Sequence, residues 1–189
     1  MTEQDPKAAA EAPKEAAAPA EKPARHGPPI VIAEEVLNER GEQTAAQLAS
    51  TLGTLVLDSA GREDNPWVRV DAKELHAAAK KCRDGEMGMD MLNLMLAVDW
   101  VDRIQMIYVL YSTTNNRKVI LKADLPAESP AIDSLTDLWE AATWYERETY
   151  DLFGVDFPGN SDMSPLLLYE GFEGHPGLKS YPLNDYEEW

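Results

Sequence analysis

The stretch RIQMIYVLYSTTNNRKVILKAD, residues 103–124, decides the fold class. Ile104, Met106, Tyr108 and Leu110 alternate with Gln105, Ile107, Val109 and Tyr111. Period-two spacing of β-branched and aromatic residues reads as a strand. Apolar residues on both sides imply that it is covered on both faces or nearly so. Asn115-Asn116 is a turn signal. Val119, Leu121 and Ala123 then alternate with Ile120, Lys122 and Asp124 on a return strand.

Outward from this hairpin the pattern changes. Met89 to Val98 carries Met91, Leu92, Met95, Leu96 and Val98, a spacing that predicts a buried helical turn or two. Asp71 reads as an N-cap with Glu74 as its capping-box partner, opening a helix that runs to about Arg83 and stops at Gly85. Thr54–Leu57 and Trp67–Asp71 flank a Gly/Asp/Asn loop and predict a second hairpin, and Glu42–Leu52 reads as a helix. The sum is an α+β fold: a small mixed or antiparallel sheet with helices packed on one face.

Both ends differ from this core. Residues 1–29 hold six of the thirteen prolines in a run of Ala, Lys and Glu. Pro6, Pro13, Pro19 and Pro23 interrupt any helix there, so a disordered tail is expected. The core domain spans 30–156. Residues 157–189 are dense in Pro, Gly and aromatics and read as an irregular C-terminal arm that orders on partner subunits.

Composition narrows the function. The chain of 189 residues carries a formal net charge of -17. That speaks against nucleic acid and anionic lipid, both of which need basic surfaces. No segment is apolar enough for a direct membrane span; the most apolar, Met87 to Val101, contains Asp90 and Asp99. The single cysteine, Cys82, leaves iron–sulfur ligation without its thiolates. Its neighbours Lys80, Lys81 and Arg83 would favour a thiolate, though a basic cluster at a helix C-terminus also has a plain charge–dipole reading. His26, His76 and His175 lack zinc spacing, and no dinucleotide or triphosphate motif is present. No catalytic, cofactor-binding or metal-ligating residue is therefore expected.

Ser134 to Phe153 reads as one amphipathic helix. With Ala142 at zero, Leu135, Leu138, Trp139, Tyr145, Thr149 and Phe153 fall within about 60° of it. Glu146 lies inside that stripe, at about 40°. A carboxylate there either reaches water at the stripe's edge or is held by a basic group from another segment or subunit. A bend near Glu140 would rotate the second half. Trp144 falls on the opposite side, at about 160°, and is a candidate interface anchor. Arg147 and Asp151, four apart, are placed to pair along the helix.

The run Trp144-Tyr145-Glu146-Arg147-Glu148-Thr149-Tyr150-Asp151-Leu152-Phe153-Gly154-Val155 resembles the signature of the thirty-kilodalton subunit family of respiratory complex I, the C subunits of NADH:quinone oxidoreductase. Asp137-Leu138-Trp139 and Ala142 resemble the lead-in. Ala97-Val98-Asp99, Tyr108 to Ser112, Asn116-Arg117 and Leu121-Lys122 resemble the central hairpin. Glu173-Gly174-His175-Pro176, Lys179, Tyr181 and Pro182 resemble the C-terminal motif. Departures occur as well. Asn160 stands where the family usually has a histidine, and Ser164 and Pro165 where it has basic residues. Leu178 and Ser180 replace an arginine and an aspartate beside Lys179.

The resemblance implies a cofactor-free docking subunit of the peripheral arm, with FMN, iron–sulfur clusters and quinone in partner subunits, chiefly D, B and I. It implies a place on the cytoplasmic face of the inner membrane, held through the complex. The signature or interface residues it implies are Trp144, Glu146, Arg147, Glu148, Asp151, Phe153, Gly154, His175, Lys179 and Tyr181. The alternatives are the equivalent subunit of a related quinone-reducing or hydrogenase complex with another donor, and a stand-alone interaction module.

Overall fold

The computed structural model describes residues 36–182. The expectations for the tail at 1–29 and for the last residues of the arm lie outside them. Helix α1 (Glu39–Leu52) is followed by a 3-10 turn at Gly53–Leu55, strands β1 (Asp58–Arg62) and β2 (Asn65–Arg69), and a second 3-10 turn at Ala72–Glu74. Then come α2 (Leu75–Asp84), β3 (Met91–Asp99), β4 (Arg103–Ser112), β5 (Arg117–Pro126) and α3 (Ala142–Phe153). The five strands form one sheet in the order β1-β2-β5-β4-β3. Only the β2–β5 pairing is parallel, so the sheet is mixed, one of the two forms the sequence left open.

The central hairpin stands where the alternation put it, with Tyr111 paired to Lys118 and Ser112 to Arg117 around the Asn115-Asn116 turn. Ile104, Met106, Tyr108 and Leu110 of β4 are buried together with Val119, Leu121, Ala123 and Leu125 of β5. On that face lie Leu48 and Leu52 of α1 and Leu75, Ala78, Ala79 and Cys82 of α2, all in one core. No helix covers the other face among the described residues, so β4 is fully covered on one side only. The uncovered side is mixed: Arg69 pairs there with Asp58 and with Asp124, which also accepts from Gln105, beside one apolar row. Cross-strand partners share a side, and the register lines up Leu94, Val109, Ile120, Trp67 and Ala60 across all five strands.

Three expectations are corrected. Met89–Val98 is not helical: it is strand β3. A bulge between Leu92 and Leu94 slips the alternation by one residue, so Leu92 and Met95, three apart, both face the core. A three-residue spacing of core residues imitates a helix. Thr54–Leu57 is not a strand, because the first hairpin partner is β1, whose residues Asp58-Ser-Ala-Gly-Arg62 lack β-formers and are recruited by pairing with β2. Ser134–Phe153 is not one helix, and α3 starts only at Ala142. The residues before it form successive turns, Trp139 N–H to Leu135 O at 2.9 Å and Ala142 N–H to Trp139 O at 3.0 Å. Turns also repeat at three to four residues, so Leu135, Leu138 and Trp139 still point inward.

Smaller adjustments concern caps. Asn38 accepts the Gly41 N–H at 2.8 Å and starts α1 earlier than Glu42. Asp71 caps the 3-10 turn through the Lys73 N–H at 2.9 Å, without a reciprocal bond from Glu74. Gly85 ends α2 as expected.

Candidate functional site

Helix α3 carries a buried polar face, and the chain on both sides of it folds back to meet that face. Residues 130–134 run beside 156–158: the Ile132 N–H donates to Asp156 O at 3.0 Å and the Ser134 N–H to Pro158 O at 2.9 Å. This pairing places Ser134 and Asn160 on either side of Glu146. The Glu146 carboxylate is 0% exposed. It accepts the Leu135 N–H at 2.8 Å on one oxygen, and the Ser134 hydroxyl at 2.8 Å and the Asn160 amide at 2.9 Å on the other.

Glu146 therefore does not reach water, nor is it held by a basic group among the described residues. Its donors are neutral and come from its own chain. Burial raises its pKa above the ordinary value, against the lowering by Leu135, Ser134 and Asn160; the Asp137 charge adds to the rise. The nearby Tyr108 hydroxyl is pushed well above its usual range, by burial first and by Glu146 second. Among the described residues that hydroxyl has no hydrogen-bond partner. Removing an unsatisfied buried hydroxyl costs little and relieves its desolvation. Tyr108→Phe is thus expected to keep or raise the thermal midpoint, and a clear fall would show that the hydroxyl is bonded.

Arg147 and Asp151 do not pair with each other; both turn to the arm. The Arg147 guanidinium donates to Ser164 O at 2.8 Å and Pro165 O at 3.1 Å and lies 3.4 Å from an Asp162 oxygen. Its other contact is the Trp144 ring, 5.1 Å away. One Asp151 oxygen accepts three consecutive backbone N–H groups, of Leu166 at 2.8 Å, Leu167 at 2.7 Å and Leu168 at 3.2 Å. Burial alone would raise the Asp151 pKa, but these three donors and the Arg147 charge bring it below the ordinary carboxylate value.

The arm continues over the end of the helix. Gly154 closes α3 in the left-handed region at φ +70°, and a Cβ there would stand 2.6 Å from the His175 ring. His175 Nδ1 lies 3.0 Å from Asp151 O, and the Gly177 N–H donates to Leu152 O at 2.8 Å against the Phe153 ring. Tyr181 stacks on Phe172, which meets Tyr169 edge-on. The Lys179 N–H ends the series on Asp99 at the tip of β3, at 2.7 Å.

The structure thus gathers Glu146, Arg147, Asp151, Gly154, His175 and Lys179 into one clamp between α3 and the arm. Phe153 packs against the core beneath it. Trp144 stays outside, 58% exposed, as its position on the helix predicted. Glu148 has neither hydrogen bond nor ion pair among the described residues. Ser134, Asn160 and Asp99 belong to the clamp, although sequence reasoning gave them no such role. The departures at Ser164 and Pro165 cost the clamp nothing, because Arg147 uses their carbonyl oxygens. Cys82 lies in the core, its thiol pushed up to about 12 by burial. The thiolate its basic neighbours would favour is not formed there. Arg83 is engaged with Asp84 and Leu138 O instead, and His76 with Asp137.

The model of the family described as "Respiratory-chain NADH dehydrogenase, 30 Kd subunit" matches residues 68–187, which include the sheet from β2 onward, α3 and the clamp. The chain belongs to this thirty-kilodalton subunit family. Among relatives, the C subunit of NADH-quinone oxidoreductase from Novosphingobium aromaticivorans is 35% identical over 144 residues, 75% of this chain and 46% of that protein. The Roseiflexus sp. protein of the same name is 33% identical over 145 residues, 75% of this chain and 83% of that one. The chain therefore spans about half the length of some relatives and most of others. A solved trypsin-resistant fragment of Nqo5 superposes with TM-score 0.55 at 25% identity, covering 65% of this chain and 98% of the fragment. A chain of the archaeal membrane-bound sulfane sulfur reductase shares the fold, with TM-score 0.64 at 23% identity over 79% of this chain and 96% of that one. In this family setting, Glu146, Arg147 and Asp151 of the α3 signature hold the arm of their own chain. Among the described residues no helix is long and apolar enough to cross a membrane.

Proposed function

We propose that this thirty-kilodalton family member is a docking subunit in the peripheral arm of a proton-translocating NADH:quinone oxidoreductase. It positions the partners that carry electrons and holds no redox group itself. The partners are D, which forms the quinone site, together with B and I. FMN, the iron–sulfur clusters and quinone reside in the partners, and the chain sits at the cytoplasmic face of the inner membrane through them.

The observation that carries this reading is how the signature is used. Glu146, Arg147 and Asp151 direct their hydrogen bonds inward, at segments of the same chain. What this presents outward is a fixed surface rather than a reactive one. Trp144, Leu167 and Tyr169 are exposed on it, and the apolar row across the open sheet face adds a second area, in part covered by Lys122 over the Trp67 ring. Surfaces of this kind are characteristic of interaction sites.

Trp144→Ala is expected to leave the midpoint of the free chain within about 2 °C, since an exposed side chain contributes little to folding. It is expected to weaken capture of the partner subunits at least ~10-fold, as truncation of an interface tryptophan does. Pull-down of the tagged chain from its own cells, with partners identified and NADH:quinone activity measured, checks both. Unchanged capture would remove the docking role from this surface.

A second reading keeps the role and changes the donor, to a related complex fed by something other than NADH. The departures at Leu178 and Ser180 beside Lys179 favour it. Measuring the electron donor of the purified complex decides between the two.

A further inference from the structure

The turn between β3 and β4 holds a conformation that the chain's own packing does not repay. Val101 sits at φ +76°. That region disfavours β-branched side chains and is filled with little strain by Asn or Gly. The Val101 side chain compensates nothing within the chain, because it is 71% exposed, and Trp100 beside it is 48% exposed.

The turn is nevertheless fixed on several sides. The Trp100 N–H donates to Arg103 O at 2.9 Å. Asp99 accepts the Val101 N–H at 2.6 Å on one oxygen and the arm's Lys179 N–H at 2.7 Å on the other. The arm therefore locks the carboxylate that locks the turn. The Trp100 ring is flanked by cations, Arg103 at 5.4 Å and the Lys179 ammonium at 6.0 Å. Among the described residues the Lys179 ammonium has no ion-pair partner. In a chain of net charge -17, two cations gathered at one half-exposed indole stand out, and the Lys179 charge is felt within the chain only through Asp99 among the described residues.

We propose that Trp100 and Val101, with Lys179, form a docking knob that enters an apolar pocket on a neighbouring subunit of the complex, a pocket rimmed by at least one carboxylate. Two adjacent large apolar side chains on a rigid, strained turn have their use outside the chain. The charge that complements Lys179 is an acid on the partner. The inference rests on the docking role proposed above and names a second contact for it, at the far end of the arm from Trp144.

The test uses the full chain in two measurements, the thermal midpoint of the free protein and capture of the co-expressed subunits of its complex. Val101→Asn is expected to raise the midpoint by about 2–4 °C, because it relieves the strain, and to lower capture at least ~10-fold. Trp100→Ala and Lys179→Glu are expected to lower capture without raising the midpoint; the Lys179 backbone bond to Asp99 is kept in the latter. A higher midpoint with undiminished capture in Val101→Asn overturns the knob, and so does a midpoint that fails to rise. Trp144→Ala run in parallel separates the two claims. If it reduces capture while the knob variants do not, the docking role stands and the knob falls. If none of the variants reduces capture, both fall.

Discussion

Asp151→Ala is expected to destabilise the protein by about 3 kcal/mol and to free the arm from α3. A single carboxylate oxygen satisfies three successive N–H groups, of Leu166, Leu167 and Leu168. Hydrogen bonds to a charged acceptor contribute about 1.5–3 kcal/mol each. They share one oxygen here and do not add, so the whole set counts for little more than its strongest member. The loss also removes one of two carboxylates near the almost buried Arg147 guanidinium, leaving Asp162 at 3.4 Å as its counter-charge. Asp151→Asn keeps one acceptor oxygen and loses the charge, and its cost falls between wild type and Ala. The pH dependence is fixed by the direction of the shift. The Asp151 pKa is lowered in the folded state, so its contribution is present above the unfolded value, about 3.9, and is lost as pH falls below it. Urea titrations of wild type and Asp151→Asn at pH 7 and pH 3 are expected to show the difference shrinking at the lower pH. A difference that stays constant across that range would mean that the Asp151 charge does not hold the arm.

The pieces of this arrangement differ in how far the sequence exposes them. The β4–β5 hairpin is legible because burial on one side of a strand forces period two on Ile104, Met106, Tyr108 and Leu110, and because Asn115-Asn116 marks the turn. Strand β3 is hidden by its bulge, which turns two-residue alternation into the three-residue step from Leu92 to Met95. The first half of the supposed long helix misleads for a related reason: a chain of turns repeats nearly as a helix does, so Leu135, Leu138 and Trp139 satisfy the same stripe.

The clamp is legible in part. That Glu146 lies on the inner side of α3 follows from the spacing alone. What satisfies it does not, since Ser134 and Asn160 stand 12 and 14 residues away and meet it only because residues 130–134 run beside 156–158. Asp151 is harder still. Its donors are backbone N–H groups, which every residue but proline carries, so Leu166-Leu167-Leu168 bears no mark of the role. Asp99 and Lys179 are 80 residues apart and join through a main-chain N–H as well. The family resemblance marks the run from Glu146 to Gly154 without giving its reason. The reason is that buried charges on α3 need many hydrogen-bond partners: the irregular arm supplies donors to Asp151 and acceptors to Arg147, and shares the donors of Glu146 with residues 134–135.

Glu146 carries the second large effect, and its pH dependence runs opposite to that of Asp151. Glu146→Ala leaves the Leu135 N–H, the Ser134 hydroxyl and the Asn160 amide facing a cavity, for an expected loss of about 3 kcal/mol. Glu146→Gln is the sharper probe. Its amide oxygen must face the Leu135 N–H, which can only donate, so its NH2 faces Ser134 and Asn160. Ser134 can turn its hydroxyl to accept. Asn160 cannot follow at no cost, because its own oxygen accepts the Asp162 N–H at 3.0 Å. One donor is left opposite another, and the expected loss at pH 7 is about 1–2 kcal/mol. The Glu146 pKa is raised in the folded state. Its folded form therefore binds a proton more tightly than the unfolded chain, and stability is gained as pH falls through the raised value and is fully gained below about 4.3. Gln has no such gain. Asp99, Asp151 and Asp162, all with lowered values, titrate alike in both proteins and cancel in the comparison. The gap between wild type and Glu146→Gln is thus expected to widen from pH 7 to pH 5 in chemical denaturation. A gap that narrows over that interval would show that the three donors outweigh burial, and that Glu146 is held as a stabilised anion rather than carried as a cost of closing the clamp.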